Sequence, residues 1–344
     1  MLSGVPQGSV LGPLLFILFI NDLINSVPGS QILTFADDTK VVSSVRNVGD
    51  TLKLQDNLNK IINWSHSNNM MLNNEKFKLM CHRLSPETTH QQLFKELPFN
   101  QQFFSYQADD HDLYPSSNVR DLGVLIDCKL SWKDHLNHIT SKARQVSGWV
   151  LSVFHSREKI PMITLFNSLV RSKLEYCDII WSPYQNQDVY LIEKIQRSFT
   201  HKIRGMKDYS YWERLKILDI MSLQRRREKH IIIYLWKIKH NFLPNPVNIT
   251  FKEHKRSQAL KAVLKPLPRV RGRVLTTYEE SFVIRSAKLW NVLPTPLTHI
   301  STLDKFKAAL EKFLHTIPDE PPIPGYPCSS TNSLIDIRTQ SVFC

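Results

Sequence analysis

Two adjacent aspartates, Asp37 and Asp38, stand between two short apolar runs of the sequence. The runs Ile32-Leu33-Thr34 and Val41-Val42 predict a β-hairpin that carries both carboxylates at its turn. Neighbouring carboxylates repel each other, and a divalent cation such as Mg²⁺, which prefers oxygen ligands, would relieve that repulsion. Metal ions held by paired acids can drive phosphoryl transfer. The alternative is that both acids are solvated and only shape the turn.

A segment rich in glycine lies upstream of this hairpin. Gly4-Val5-Pro6-Gln7-Gly8 precedes the apolar run 14–20. Its glycines and proline give a tight entry to a helix, and they let a ligand approach the backbone closely. The apolar run has seven residues, whereas a membrane span needs about 20. We therefore expect a buried helix over residues 9–24 and no membrane span.

Taken together, Gly4-Val5-Pro6-Gln7-Gly8 and Phe35-Ala36-Asp37-Asp38 resemble the reverse transcriptases of non-LTR (LINE-type) retrotransposons. Segments 72–76, 122–127 and 130–132 are similar to later motifs of that family, in the same order. The resemblance extends to about Pro318. It implies an RNA-directed DNA polymerase that uses Mg²⁺ (or Mn²⁺) and binds an RNA template with a DNA primer or target.

The resemblance also implies roles for individual residues. Asp37 and Asp38 would be catalytic and would bind the metal ions. The residues that would line the nucleotide and the template are Pro6, Gln7, Gly8, Phe35, Ala36 and Lys76. Leu122 and Gly123 would grip the primer, since glycine permits close approach of a nucleic-acid backbone. The residues alone leave simpler alternatives open. Pro6, Gln7 and Gly8 could only form the turn that begins a helix, Phe35 could be a core residue and Lys76 could be solvated.

The family pattern places a first catalytic aspartate on a strand upstream of the Pro-Gln-Gly motif. The sequence begins at Met1, just before that motif, so we expect the fingers and the first carboxylate to be absent. A two-metal site needs enough anionic ligands to hold both ions, so we expect a fragment that is inactive alone. One competing hypothesis is a nucleic-acid-binding module that has lost polymerase activity. Another is a non-functional relic of an element.

Positive charge is concentrated in one part of the chain. Residues 201–290 hold 21 Lys+Arg and 7 Asp+Glu, a net charge of 21 − 7 = +14. This exceeds the net charge of +13 of all 344 residues. Such a block favours salt-dependent binding of polyanions, although a solvated basic surface without a partner is the alternative. The candidate phosphate-binding residues are Arg225, Arg226, Arg227, Arg269, Arg271 and Arg273. Tyr209, Tyr211 and Trp212 are candidates for base stacking.

The five cysteines and thirteen histidines give no sign of a zinc site. No cysteine pair has CxxC spacing, so reduced thiols in an intracellular protein, nuclear or cytoplasmic and not secreted, are expected. His135 and His138 are interpreted as a polar helix face. We assign Trp132, Trp149 and Trp181 to packing.

The predicted fold is α+β: a truncated reverse-transcriptase palm of antiparallel sheet with helices, followed by a mostly α-helical thumb and C-terminal domain. The predicted domains are a partial palm at 1–130, a helical thumb-like region at 131–205, a basic helical region at 206–317 and a disordered tail at 318–344. We expect helices at 50–70 (capped by Asp50), 132–154, 161–180, 189–203, 223–242, 281–293 and 303–317. Strands are expected at 71–80 and 121–127, with irregular segments at 86–117 and 242–273.

Overall fold

A computed structural model describes residues 8–27, 30–82, 106–245, 248–255, 258–264, 269–270, 273–274, 281–320 and 332–336. The chain divides into an N-terminal unit, Met1–Asp121 with Asp127–Lys129, and a C-terminal unit, Leu122–Ile126 with Leu130–Cys344. The expected α+β class is confirmed at this level. Helices predominate, and the described strands form small antiparallel two-stranded sheets.

The N-terminal unit combines two helices with short strands. Its elements are α1 (Gly12–Ile20), a 3₁₀ helix (Asn21–Ser26), β1 (Gln31–Phe35), β2 (Asp38–Val42), α2 (Val48–Ser67), a second 3₁₀ helix (Asn74–Lys76), β3 (Tyr106–Ala108), β4 (His111–Leu113) and β5 (Asn118–Asp121). β5 pairs with β6 (Val124–Asp127), and the boundary between the units falls in that hairpin. The predicted helix at 9–24 therefore exists as α1 followed by a 3₁₀ turn. The expectation that it is buried is wrong for the unit as described, because only Gly12 and Ile20 of α1 are buried while Leu14, Ile17 and Leu18 are exposed.

Helix α2 separates two hairpins of the N-terminal unit. Ile61 packs with Ile20 and Leu23, against Ile32 of the β1–β2 hairpin. Its neighbour Ile62 packs instead with the β3–β4 hairpin. Trp64 joins Ile61 on the first side of the helix, and Leu54 and Leu58 join Ile62 on the second. In the described part of the chain the two hairpins remain separate sheets. This differs from the expected single sheet with helices on one face.

Three local predictions for the N-terminal unit need correction. The cap of α2 is Asn47, whose side chain accepts a hydrogen bond from the Asp50 backbone, while the Asp50 carboxylate accepts one from Arg46. The expected strand at 71–80 is a 3₁₀ turn with one isolated bridge at Leu79. The expected irregular segment at 86–117 contains the β3–β4 hairpin, and residues 83–105 lie outside the described residues.

The C-terminal unit is mainly helical. Its further elements are α3 (Lys133–Val153), α4 (Lys159–Leu165), a π-helix (Phe166–Arg171), α5 (Ser172–Glu175), α6 (Asp178–Trp181), α7 (Asn186–Thr200), α8 (Tyr211–Leu218), α9 (Leu223–Lys239), β7 (Thr250–Glu253), β8 (Leu260–Val263), β9 (Arg269–Val270), β10 (Arg273–Val274), α10 (Phe282–Val292), α11 (Thr295–Thr298) and α12 (Leu303–His315). Most of the helices predicted beyond residue 130 are confirmed to within a few residues. The exception is 161–180, which is interrupted at Tyr176 and Cys177.

Helix α9 joins the two cores of the C-terminal unit. Leu223 at its start packs with α3 and α7, whereas Ile231, Ile232 and Trp236 pack with α10 and α12. The helix is buried around most of its circumference. The run of apolar residues at 231–236 is therefore typical of a central helix, and not of a helix with one buried and one charged face.

Two segments predicted to be irregular contain ordered structure. β7 and β8 pair within the expected linker 242–273. In the expected tail, Leu334 is fully buried in the core beside α9, and Asn332 is 4% exposed. No helix in the described ranges is long and apolar enough to cross a membrane.

Candidate functional site

The turn between β1 and β2 presents the two candidate carboxylates. Phe35 pairs with Asp38, which leaves Ala36 and Asp37 as a two-residue turn. Ala36 has a φ of 51°, in the left-handed region that costs an L-residue about 1–2 kcal/mol. Asp37 and Asp38 are both exposed. The predicted acidic hairpin is confirmed, with Asp37 in the turn and Asp38 as the first residue of β2.

The other end of this hairpin is fixed to α2. Ser30 and Ser43 share a hydrogen bond of 2.8 Å, and the Asn57 amide of α2 donates to Ser30 at 2.6 Å. Ile32 and Val41 turn one face of the hairpin towards the core. The base is therefore anchored while the carboxylates lie at the free tip.

Lys40 adds a second restraint that sequence reasoning missed. Its ammonium forms an ion pair with Asp121 at the end of β5, and both side chains are partly exposed. Lys40 follows Asp38 by two positions on β2, so both side chains leave the same face of the strand. The only sequence signal for this pair is alternation along the strand, and it does not identify a partner 81 residues away.

The donor set at the tip fits Mg²⁺ as part of a ligand set. Mg²⁺ is commonly bound by one or two carboxylates together with water and substrate phosphates, and Asp37 and Asp38 supply two exposed carboxylates. Among the described residues, no group of three or more His, Cys, Asp or Glu could hold a metal ion. The hairpin alone can therefore provide at most two carboxylates.

The residues expected around the nucleotide differ in their exposure and in their local backbone structure. Phe35 is 65% exposed, so it is not a core residue of the N-terminal unit. Gly8 has a φ of 82°, a conformation that favours glycine. Lys76 is exposed in a 3₁₀ turn, not on a strand. Pro6 and Gln7 lie outside the described residues.

Leu122 and Gly123 form the turn of the β5–β6 hairpin, so the strand expected at 121–127 is interrupted there and only Val124–Asp127 forms β6. Both have positive φ, 43° and 86°, so Gly123 is required by its conformation. The Tyr176 hydroxyl donates to the Leu122 carbonyl at 2.9 Å, and the Tyr176 ring lies 3.4 Å from where a Cβ of residue 123 would be. In this unit a tyrosine covers the glycine at which close approach of nucleic acid was expected.

The arginines at 225–227 are structural in this arrangement. Arg225 and Arg227 are 0% and 2% exposed. Arg225 donates to the carbonyls of Pro318 and Asn332, both at 3.0 Å. Arg226 forms a bidentate ion pair with Glu175. These guanidinium groups are paired or enclosed, and they are not open to a phosphate as the sequence had suggested.

Acidic side chains from distant parts of the chain compensate this buried charge. Glu193 accepts hydrogen bonds from Tyr211 and from the backbone of Leu223 and Gln224 at the start of α9. Asp319 accepts from the Ser222 backbone and hydroxyl, both at 2.7 Å. Burial raises the pKa of Glu193, and burial lowers the pKa of Arg227. The basic run is thus accommodated by a buried network and not by solvent.

A pH dependence of stability should follow from Glu228. Burial raises its pKa from 4.5 to about 7. Between these values the folded state holds a proton that the unfolded chain has released, so stability from this group is complete below about pH 4.5 and is lost as pH rises through about 7. The free energy of unfolding, measured with denaturant, should therefore fall between pH 4.5 and 7.5 through the loss of the Glu228 contribution. Glu228→Gln should abolish that part of the fall. The exposed Glu253→Gln is the matched control, and an identical profile for both variants would contradict the assignment.

Three further arginine candidates lie in a part that is only partly described. The backbones of Arg269 and Arg273 belong to the paired strands β9 and β10. Arg271 lies outside the described residues, as do the side chains of the other two. Their role in nucleic-acid binding stays a prediction.

Exposed basic residues occur instead at the α7–α8 corner, which we define as Lys202, Arg204, Lys207 and Tyr209. All four are exposed, while Ile203 and Met206 between them anchor the segment in the core. Arg204 forms an ion pair of 2.8 Å with Glu158. The alternation of apolar and basic residues over positions 202–207 is the sequence pattern that could have predicted this surface.

The aromatic candidates beside this corner differ in their surroundings. Tyr211 is buried, and its hydroxyl binds Glu193. The Arg197 guanidinium lies 4.5 Å from the centre of the Tyr211 ring and 5.8 Å from that of Trp212. Tyr209 is 46% exposed. Of the three, Tyr209 offers the most open ring, whereas Tyr211 has a packing role.

The other aromatic and histidine predictions are resolved individually. Trp181 is fully buried and Trp132 packs against the same core, as expected. Trp149 is 54% exposed, so its assignment to packing is wrong for the unit as described. His135 is buried and accepts a hydrogen bond from the Leu125 backbone at 3.2 Å, so its interpretation as part of a polar helix face is wrong.

Comparison with known proteins finds similarity over the segment that contains the acidic hairpin. The family model described as reverse transcriptase (RNA-dependent DNA polymerase) matches residues 2–126. This segment is a reverse transcriptase domain. It includes the Pro6–Gly8 motif, the Asp37-Asp38 pair and the β5–β6 turn.

Curated relatives extend the similarity beyond this domain. The chain is 28% identical over 214 residues to the probable RNA-directed DNA polymerase from transposon X-element of Drosophila melanogaster. It is 24% identical over 219 residues to the RNA-directed DNA polymerase from mobile element jockey of the same species. The matches cover 59% and 60% of this chain but 22% of each relative. The reverse transcriptase domain is therefore related to those of X-element and jockey, non-LTR retrotransposons, and the matches span about a fifth of the relatives' length. No solved structure matches the chain.

Proposed function

We propose that the chain carries part of the active site of an RNA-directed DNA polymerase of the non-LTR type, with Asp37 and Asp38 as metal ligands. The observation that carries this proposal is the exposed Asp37-Asp38 pair at an anchored hairpin tip, inside the segment that matches the reverse transcriptase family. When bound, Mg²⁺ (or Mn²⁺) would activate the primer hydroxyl and neutralise charge on the phosphates. A further carboxylate from outside this pair would complete the ligand set.

The protein's own residues would contribute position more than chemistry. Anchoring of the hairpin base through Ser30, Ser43 and Asn57 limits movement of the tip, and catalysis depends on such preorganisation. Phe35, exposed beside Asp38, would face the primer end. Gly8, Ala36 and Lys76, with Pro6 and Gln7, would line the nucleotide and template. Leu122 and Gly123 would contact the primer through their turn once the Tyr176 ring moves off Gly123.

The domain assignment belongs to the same proposal. Residues 1–130 would be a partial palm, 131–205 a thumb-like region and 206–317 a basic C-terminal region, followed by residues 318–344. The division of the chain into units near residues 121–130 supports a boundary at the end of the palm. The RNA template and DNA primer would be the partners.

The test is primer extension on an RNA template, together with sequencing of the transcript that encodes the chain. An in-frame upstream segment with a single aspartate on an apolar strand would supply a further carboxylate. The longest natural polypeptide is then expected to extend a DNA primer in the presence of Mg²⁺. Robust extension that Asp37→Ala leaves unchanged would contradict the assignment of Asp37 as a metal ligand.

The alternative function is a nucleic-acid-binding module without polymerase activity, favoured by the exposed α7–α8 corner. That module would retain salt-dependent binding after Asp37→Ala and Asp38→Ala. Equal binding at about 50 mM and about 500 mM salt would count against both functions, because phosphate contacts weaken as salt rises.

The α7–α8 corner should account for part of that salt dependence. Replacing Lys202 and Lys207 by Gln is expected to reduce the slope of log K against log salt by about 2, since each phosphate contact contributes about 1. The matched control replaces Lys305 and Lys312, which are exposed on α12. Fluorescence anisotropy with a labelled single strand measures the slope. Equal slopes for the two double variants would remove the corner from the interface.

A further inference from the structure

The β1–β2 hairpin of the N-terminal unit carries three charged residues. Asp37 and Asp38 lie at its tip, and Lys40 follows on β2. The Lys40 ammonium forms an ion pair with Asp121 at the end of β5, within the same unit. The two side chains are 39% and 25% exposed, and an ion pair that water reaches contributes little to stability. Its position beside the candidate metal ligands therefore matters more than its strength.

The Lys40 ammonium has a second carboxylate within reach. Asp38 and Lys40 are two positions apart on β2, so their side chains leave the same face of the strand with their Cα atoms about 7 Å apart. The flexible four-carbon stem of lysine can cross that spacing, and the ammonium can direct its donors to either acid. In the structure the ammonium is directed to Asp121. Asp121 therefore competes with Asp38 for the same cation.

A divalent cation at the hairpin tip would respond strongly to this competition. Its interaction with a unit charge is twice that of a monovalent ion at the same distance. An ammonium released beside Asp38 would repel the metal ion and would occupy one of the two carboxylates that bind it. The Asp121 carboxylate opposes both effects, because it neutralises the ammonium and draws it off Asp38.

We propose that Asp121 is a positioning residue of the metal site: by holding the Lys40 ammonium, it keeps the Asp38 carboxylate available to a divalent cation. Lys40 is then the charge that weakens metal binding when Asp121 is removed. This inference rests on the proposed function, because Asp37 and Asp38 are taken as the metal ligands. The ion pair of Lys40 with Asp121 is independent of that function.

The first test is Mn²⁺ binding to the whole chain, measured from the electron paramagnetic resonance signal of free Mn²⁺. Asp121→Asn should weaken Mn²⁺ binding by about threefold to tenfold, because it releases the ammonium beside the site. Lys40→Gln should strengthen binding by a similar factor. The double variant Lys40→Gln/Asp121→Asn should bind Mn²⁺ about as tightly as the wild type, because both charges are then absent.

The matched control is the ion pair of Lys60 with Asp56, which lies on α2 of the same unit. Lys60→Gln and Asp56→Asn remove the same charges from this exposed pair and should leave the Mn²⁺ affinity unchanged. Asp121→Glu keeps the carboxylate and should retain most of the wild-type affinity. Thermal unfolding shows whether each variant remains folded, and Asp121→Ser is a second neutral variant if Asp121→Asn does not.

The Mg²⁺ dependence of primer extension by the longest natural polypeptide is the second measurement. Asp121→Asn should raise the Mg²⁺ concentration that gives half the maximal rate by about threefold to tenfold and leave the maximal rate unchanged. A merely structural role of Asp121 would instead lower the maximal rate at every Mg²⁺ concentration.

Wild-type Mn²⁺ affinity in Asp121→Asn would overturn the inference. A double variant that binds Mn²⁺ as weakly as Asp121→Asn would also overturn it, because Lys40 would then not be the cause. Asp37→Asn distinguishes this failure from failure of the proposed function. If Asp37→Asn weakens Mn²⁺ binding and Asp121→Asn does not, the inference alone is rejected. If neither substitution weakens it, the assignment of the metal ligands is rejected as well.

Discussion

Replacing Asp37 by Asn is expected to lower RNA-templated primer extension by about 10³-fold or more in an active polypeptide that contains this chain. The substitution keeps the size of the side chain and removes the charge that would hold a metal ion. Because Asp37 is exposed in a two-residue turn, stability should change little. Extension is measured with a labelled DNA primer on an RNA template over a range of Mg²⁺ concentrations.

The controls separate loss of a metal ligand from loss of any surface charge. Asp56→Asn removes an exposed carboxylate of α2 in the same unit and should leave extension unchanged. Asp38→Asn is expected to have a smaller effect than Asp37→Asn, because adjacent residues need not face the same ion. Wild-type rates for Asp37→Asn would reject its assignment as a metal ligand.

The largest expected loss of stability comes from Arg225→Ala. Removing one partner of a buried ionic network typically costs about 3–5 kcal/mol, since the remaining charges stay buried without compensation. Arg225 is fully buried and donates to two carbonyls of residues 318 and 332, beside Glu228 and Asp319. Chemical denaturation followed by tryptophan fluorescence should show the decrease, because Trp236 and Trp290 are buried in this unit.

A matched substitution distinguishes this structural role from phosphate binding. Arg204→Ala removes a largely exposed guanidinium and should change stability little. If Arg225 contacted nucleic acid directly, Arg225→Ala would weaken binding without altering the unfolding transition. That pattern would contradict the buried position described above.

Regular local patterns were sufficient for much of the helical structure. The spacing of apolar residues predicted α3, α7, α9, α10 and α12 to within a few residues at most ends. The β1–β2 hairpin was also predictable, because its strands are adjacent and their turn is short. In each of these cases the signal and the structure it specifies lie in the same short stretch of sequence.

The misinterpreted features depend on distant residues. Arg225 and Arg227 were predicted to lie on the surface. The carboxylates that allow their burial, such as Glu193 and Asp319, are distant in the sequence, so the local pattern does not reveal them. The β7–β8 hairpin was hidden by a basic and proline-containing sequence. At the candidate site, the local turn was predictable, but the anchoring Asn57 amide and the Lys40–Asp121 ion pair were not.

The connection between Arg225 and Asn332 also has a kinetic consequence. These residues are 107 positions apart, so the chain must close a long loop before their hydrogen bond can contribute. Contacts with such separation slow the search for the native topology. If they form after the transition state, they govern how long a folded molecule survives more than how quickly it folds. The hydrogen bond between Arg225 and the Asn332 carbonyl would then slow unfolding of a helical core that has already assembled. Its loss would shorten the lifetime of that core.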